Sequence, residues 1–274
     1  MNKKIIFLDL DGTLLTSDKK VSYKNVAALK EMIEAGHYVA VNSGRPINSI
    51  KGIIGEFGLD IPGVYVLGFQ GNMIFENATN KILDTNCVDE DKAIELISEL
   101  RKKDIYVHTY ETDTIIAFSD KKNSDELARY QALTKEPAIF IDDVEELRGR
   151  QLPKILSADY VNIPRLYEFQ EYFRDREGDV VESFFSAAHF LEYVKKGSNK
   201  GYGVKFLADY LNLGIGNTIA CGDERNDISM IETAGVGVAM KNARQELKEL
   251  ADYVTENDND HDGIAEVVYR YILI

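Results

Sequence analysis

The sequence predicts an α/β protein: a parallel sheet with helices on both faces, interrupted by an inserted α+β domain. Three observations carry this. Short apolar runs alternate with helical patterns near the start of the 274-residue chain, the same rhythm returns near its end, and the stretch between them follows a different pattern.

Residues 5–10 form a short apolar run, as in a strand buried on both faces. Ser22 opens a helical pattern with Val26, Leu29, Met32 and Ile33 on one face, and Gly36 sits where that helix would end. Residues 38–42 read as the second strand. Pro46 suits the first turn of a helix following Ser43-Gly44-Arg45, and residues 64–67 read as the third strand. Late in the chain, helices are expected at 200–211, 227–234, 243–250 and 264–272, with strands at 217–221, 236–239 and 253–255. The middle is more charged. Strand-like pieces at 105–110, 114–119, 157–163, 180–186 and 190–194 surround helices at 89–102 and 124–133, and the first two strands lie close enough to pair as a hairpin. Residues 83–195 therefore read as the insertion, with 1–82 and 196–274 as the two halves of the core.

Basic residues number 32 and acidic residues 46, a net charge of −14. Such a surface repels nucleic acid phosphates and anionic lipid, so neither is expected as a partner, and no protein partner is implied. An anionic substrate would need a local cation to overcome that field. The two cysteines, Cys87 and Cys221, are too few for a disulfide framework. No apolar run approaches the ~20 residues of a membrane span, and Asp9 and Asp11 interrupt the opening run too early for a signal peptide. A cytoplasmic protein is expected.

The strongest chemical signal is Asp9-Leu10-Asp11-Gly12-Thr13, at the end of the first expected strand. Ligands of open parallel sheets bind beyond the carboxyl ends of strands. Two acidic side chains are costly to bury there without a cation. A second cluster, Gly222-Asp223-Glu224-Arg225-Asn226-Asp227, follows another expected core strand. If both strands share a sheet, Asp9, Asp11, Asp223 and Asp227 can converge, and such hard oxygen ligands suit Mg²⁺ with room left for a phosphate. Ser43-Gly44, between a strand and a helix, could hold phosphate oxygens by its hydroxyl and backbone N–H groups. Lys200, opening another helix, could supply positive charge.

In this order, Asp9-Leu10-Asp11-Gly12-Thr13, Ser43, Lys200 and Gly222-Asp223-x-x-Asn226-Asp227 resemble the four motifs of the haloacid dehalogenase-like phosphatase superfamily. The flanking text, Thr13-Leu14-Leu15, Ser43-Gly44-Arg45-Pro46, Asn199-Lys200-Gly201 and Asp227-Ile228-Ser229-Met230-Ile231, is similar to its Cof-like branch. So is the stretch from Ala234 to Ala243. The resemblance implies a Rossmann-like core with a cap of type IIB as the insertion. It implies Asp9 as a nucleophile that becomes a phosphoaspartate, and Asp11 as acid and then base. It implies Mg²⁺ held by the side chains of Asp9 and Asp223 and the backbone carbonyl of Asp11. Ser43, Gly44, Lys200, Asn226 and the Leu10 backbone would hold the phosphoryl group, and Asp227 would orient metal waters and Lys200. Gln70-Gly71-Asn72 departs from the branch, where Asn-Gly-Ala is common, and Lys241 replaces a frequent glycine.

The function expected is Mg²⁺-dependent hydrolysis of small phosphorylated metabolites, most readily sugar phosphates. A phosphomutase or phosphotransferase is the alternative enzyme, and an idle metal- and phosphate-binding regulator the alternative class. Lys154, Arg165 and Tyr110 are candidate cap contacts to substrate. Other signals carry less. Asp258-x-Asp260-x-Asp262-Gly263 imitates a calcium loop but has Tyr269 where its last ligand, a glutamate, belongs. Cys221 reads as a small core residue, His108 and His189 as structural or solvated, and Gly235-x-Gly237 lacks the third glycine of a dinucleotide fingerprint.

Overall fold

The structure is a computed structural model that describes residues 2–112 and 114–273. They form two compact units, residues 2–84 with 199–273, and 85–112 with 114–198. The first unit begins with β1 (Ile5–Leu8), α1 (Tyr23–Glu34), β2 (Tyr38–Asn42), α2 (Ile47–Glu56), β3 (Val64–Gly68), β4 (Met73–Glu76) and β5 (Lys81–Thr85). The second holds α3 (Glu90–Lys102), β6 (Tyr106–Glu111), β7 (Thr114–Phe118), α4 (Asp125–Thr134), β8 (Ala138–Ile141), β9 (Ile155–Ala158), α5 (Ile163–Glu177), β10 (Val181–Ala187) and β11 (Phe190–Lys195). The chain then returns to the first as α6 (Lys200–Tyr210), β12 (Thr218–Gly222), α7 (Ile228–Thr233), β13 (Val236–Ala239), α8 (Gln245–Leu250), β14 (Tyr253–Val254) and α9 (Gly263–Tyr271).

The first unit's sheet has the order β14-β13-β12-β1-β2-β3-β4-β5. Every pairing from β14 to β3 is parallel. The β1 side chains Ile5, Ile6, Phe7 and Leu8 are all fully buried, as a central strand covered on both faces requires. Each such side chain contributes roughly 1.5–3 kcal/mol by leaving water. At the other edge the sheet departs from the purely parallel expectation, because β4 runs antiparallel to β3. Only residues 69–72 link the two, and a parallel crossover needs about a dozen residues. The chain turns back through Gln70, whose φ of 62° lies in the left-handed region.

Register decides where the chemistry falls. Leu8 pairs with Cys221 on one side and Val41 on the other. The segments that follow these three residues therefore leave the sheet side by side at its carboxyl edge. They carry Asp9 and Asp11, Asp223, and Ser43.

The second unit's sheet has the order β10-β11-β9-β6-β7-β8, antiparallel except for β7 with β8. Leu96, Ile97 and Leu100 of α3 and Leu166, Phe169 and Phe173 of α5 pack with Val107, Ile155, Leu191 and Tyr193 of the sheet. The expected strand at 157–163 is corrected here: β9 ends at Ala158 and α5 starts at Ile163, with a proline in its first turn. The sequence reading also missed β8.

Tyr106, His108 and Tyr110 alternate with core residues along β6 and form a buried polar chain. His108 Nδ1 lies 3.0 Å from the Tyr106 hydroxyl and its Nε2 3.2 Å from that of Tyr110. Tyr110 donates onward to the Tyr130 hydroxyl. Lys154 Nζ pairs with Glu192 Oε1 at 3.2 Å, and the Ser186 hydroxyl donates to the same oxygen at 2.7 Å. Burial, with the Lys154 charge, drives the His108 imidazole down to about 3, so it is neutral. Burial alone would lower Lys154, but the Glu192 carboxylate holds it above its ordinary value. Two of the candidate cap contacts, Lys154 and Tyr110, thus lie inside this network. The third, Arg165, donates to the Lys103 carbonyl and approaches Asp159 at 3.7 Å. His189 stacks on Tyr160, ring centres 4.4 Å apart.

Candidate active site

Asp9 follows β1 directly and is nearly buried, its backbone N–H bonded to the Cys221 carbonyl at 3.0 Å. Lys200, fully buried at the start of α6, donates to Asp9 Oδ1 and, at 2.6 Å, to Asp227 Oδ1. Asp227 Oδ2 accepts the backbone N–H groups of Asp223 and Glu224 at 2.9 and 3.0 Å. Both Asp227 oxygens are therefore engaged within the protein. Asp223 Oδ1 accepts the Thr13 hydroxyl at 2.8 Å. Oxygens of Asp9, Asp223 and Asp227 all lie within 4.8 Å of one another.

One lysine among three carboxylates leaves an excess of negative charge. Burial pushes the Asp9 carboxyl up; Lys200 opposes this, and Asp227 and Asp223 add to it, leaving it at about 7. Burial likewise lifts Asp223 to about 6, against the Thr13 hydrogen bond and with the Asp227 charge. Burial would lower Lys200, but Asp9 and Asp227 hold it above its ordinary value. The donors are all oxygen, anionic and mutually repelling, which fits a hard divalent cation far better than a soft one. Gly12 makes the convergence possible: its φ is +83°, and a Cβ there would lie 2.3 Å from Asp223 Oδ2.

The sequence suggests that Asp11 converges with Asp9, Asp223 and Asp227, but the carboxylates brought together are those of Asp9, Asp223 and Asp227, and the Asp11 carboxylate meets two cations instead. Arg45 grips it with two hydrogen bonds of 2.8 Å, and Lys19 adds a third at 2.8 Å. Burial would raise Asp11, but the Arg45 and Lys19 contacts outweigh it and hold the carboxyl below the usual range. Arg45 was legible as a residue of the Ser43-Gly44-Arg45-Pro46 stretch, with no role attached. Only the fold brings it to Asp11.

Ser43 is nearly buried just past β2, its N–H bonded to the Leu67 carbonyl at 2.9 Å. Pro46, not Ser43, occupies the cap of α2, so the Ser43 hydroxyl is not spent on capping; among the described residues it meets the Arg45 N–H, at a long 3.4 Å. Asn42, the last residue of β2, donates to the Lys200 carbonyl at 3.1 Å and anchors the start of α6. Leu10 is fully buried, its carbonyl accepting the Leu15 N–H at 2.8 Å. Asn226 donates to Gln70 Oε1 at 3.3 Å, and the Gln70 side chain also lies against Gly44.

The signals given little weight fall elsewhere. Cys221 is fully buried in β12, and burial pushes its thiol far up. Asp260 accepts the Ser17 backbone and hydroxyl, both at 2.7 Å, and Asp262 the Ser22 hydroxyl at 2.6 Å. These carboxylates tie surface turns together. No helix among the described residues is long and apolar enough to cross a membrane.

The fold and this carboxyl-edge cluster define a class, and comparison with known proteins agrees. The family model described as haloacid dehalogenase-like hydrolase matches residues 6–268. The chain belongs to that family. Among curated relatives it is 30% identical to phosphatase YwpJ of Bacillus subtilis, covering 97% of this chain and 98% of that one. It is 29% identical to the 5-amino-6-(5-phospho-D-ribitylamino)uracil phosphatase YitU of the same organism, covering 97% of each. A haloacid dehalogenase-like hydrolase from Bacteroides thetaiotaomicron has the same fold, with a TM-score of 0.86, 29% identity, and coverage of 98% of this chain and 99% of that one.

Proposed function

We propose that the protein is a Mg²⁺-dependent phosphatase that hydrolyses small phosphorylated metabolites, sugar phosphates foremost, through a phosphoaspartate on Asp9. The observation that carries this is the nearly buried Asp9 carboxylate, held by Lys200 among carboxylates that leave the cluster short of positive charge. The two curated relatives described above are both named phosphatases, which supports the reaction class.

Asp9, Asp223 and the Asp11 backbone carbonyl would hold Mg²⁺, which when bound would offset the repulsion between an anionic nucleophile and an anionic ester. Lys200 fixes the Asp9 carboxylate for attack on phosphorus in line with the leaving oxygen. The bond from phosphorus to that oxygen breaks as the Asp9 bond forms. Asp11 gives the departing oxygen its proton, then takes one from the water that cleaves the phosphoaspartate. Lys200, Asn226, Ser43 and the backbone at Leu10 and Gly44 supply the donors that stabilise charge on the transferring oxygens. Arg45 and Lys19 favour the ionised Asp11 that the second step needs. For the first step Asp11 must carry a proton, so the substrate has to displace at least one of these cations. The second unit would act as the cap that selects the leaving group.

The test is phosphate release from a panel of sugar phosphates, nucleotides and cofactor phosphates, with and without Mg²⁺. Metal-dependent release from a subset of small esters is expected. No release from any ester, or release undiminished by chelator, would sink the proposal.

A further inference from the structure

The Gln70-Gly71-Asn72 turn departs from the commoner Asn-Gly-Ala of the branch, and none of the roles assigned above uses it. Its place in the fold is specific. The Gln70 N–H donates to the Ser43 carbonyl at 3.0 Å, and the Phe69 N–H to the Arg45 carbonyl at 3.1 Å. The turn is thereby tied to the Ser43-Gly44-Arg45 loop. The side chain runs along Gly44 of that loop and accepts the Asn226 amide on Oε1 at 3.3 Å. Gln70 thus spans two segments that the phosphatase reading assigns to phosphate binding.

That single contact also fixes the amide. With Oε1 turned to Asn226, the amide presents Nε2 to Gly44, 2.7 Å from the position a Cβ there would take. Among the described residues, no hydrogen-bond acceptor meets Nε2. A side chain at position 44 would push Nε2 aside, and Gly44 leaves the amide in place at the Ser43-Gly44 loop. A donor left without a protein acceptor there is available to an anionic oxygen held by the same loop.

We propose that Gln70 Nε2 is a further phosphoryl-binding donor of this enzyme, which also keeps Asn226 oriented toward the same group. This rests on the phosphatase reading above. A shorter asparagine at this position would have to give up one of the two contacts, so the glutamine enlarges the phosphate cradle of this chain.

The test uses the full chain with Mg²⁺ and inorganic phosphate as the probe, read as competitive inhibition of ester hydrolysis and as direct binding by calorimetry. Gln70→Glu keeps an oxygen for Asn226 and replaces the donor with a negative charge. Gln70→Ala removes both. If Nε2 binds phosphoryl oxygen, Gln70→Glu weakens phosphate binding by about tenfold or more. It then does more harm than Gln70→Ala, and the loss appears in KM and phosphate affinity at unchanged melting temperature. If Gln70 serves only to hold Asn226, Gln70→Ala causes no further loss of phosphate affinity in the Asn226→Ala background, whereas a donor to phosphate still costs affinity there; an absent further loss overturns the proposal. A wild-type chain that neither hydrolyses esters nor binds phosphate overturns the phosphatase reading and this inference together.

Discussion

Each unit buries a lysine against carboxylate, and the two arrangements differ in their surroundings. In the second unit Lys154 pairs with Glu192, with a hydroxyl from Ser186 and neutral His108 and tyrosines around them. In the first, Lys200 is shared between Asp9 and Asp227, with Asp223 beside them. Burial is nearly complete in both, so burial alone does not separate structural from functional charge. In the first unit, burial and the neighbouring carboxylates hold Asp9 near 7 and Asp223 near 6, as expected where anionic groups crowd around a single lysine.

The comparison can be broken most sharply at Asp9. Asp9→Asn should reduce phosphate release to near background, since an amide is a poor nucleophile and a weaker metal ligand, while the chain stays folded. Rapid quench with labelled ester followed by peptide mapping should place the label on Asp9 of the wild type, and label on any other residue would end the covalent assignment. Asp11→Asn should cost about 10²–10⁴ in rate, with smaller losses on aryl phosphates, whose leaving oxygen needs less protonation.

The second unit supplies the contrast. Lys154→Met alone should destabilise by about 3–5 kcal/mol, because it leaves Glu192 buried and unpaired, whereas Lys154→Met with Glu192→Leu should recover most of that in denaturant unfolding. Failure of the double variant to recover would mean that the pair does more than balance charge.

A smaller effect concerns pH. Asp9 and Asp223 sit above their ordinary 3.8 in the folded chain without a cation. The unfolded chain loses those protons first, so the stability they contribute is complete below about 4 and is lost as pH rises through about 6–7. In chelator, the melting temperature should fall over that window. Added Mg²⁺ should restore it, and Asp9→Asn should flatten the slope. A melting temperature that rises through the window would count against the charge-excess account. The smallest expected change is at Arg45. Arg45→Gln should raise the Asp11 carboxyl and move the acidic limb of the rate profile upward, with Lys19 still in place to limit the shift.

Much of the first unit was legible in the sequence because its strands are short apolar runs punctuated by Gly and Asp, and parallel pairing puts their ends together. The convergence of Asp9 with Asp223 follows from one register, Leu8 opposite Cys221. The grip of Arg45 on Asp11 was not legible, since it depends on how two loops meet beyond the sheet. In the second unit, α5 was missed because its buried stripe of Leu166, Phe169 and Phe173 is embedded among tyrosines and charges that mask the helical period. Lys154 reads as a candidate substrate contact because a lone lysine in sequence does not announce its Glu192.

The register of β1 has one more consequence, in time. Ile5 pairs with Thr218, so β1 must wait on one side for a strand made more than two hundred residues later. At about 5–20 residues per second, that interval is about 10–40 s of synthesis. Through all of it Asp9 lacks Asp223 and Asp227, and through most of it Lys200 as well. The nascent chain therefore carries no assembled catalytic centre until the second half of the sheet arrives, and chains cut short before β12 release an apolar strand with an open edge in place of an enzyme.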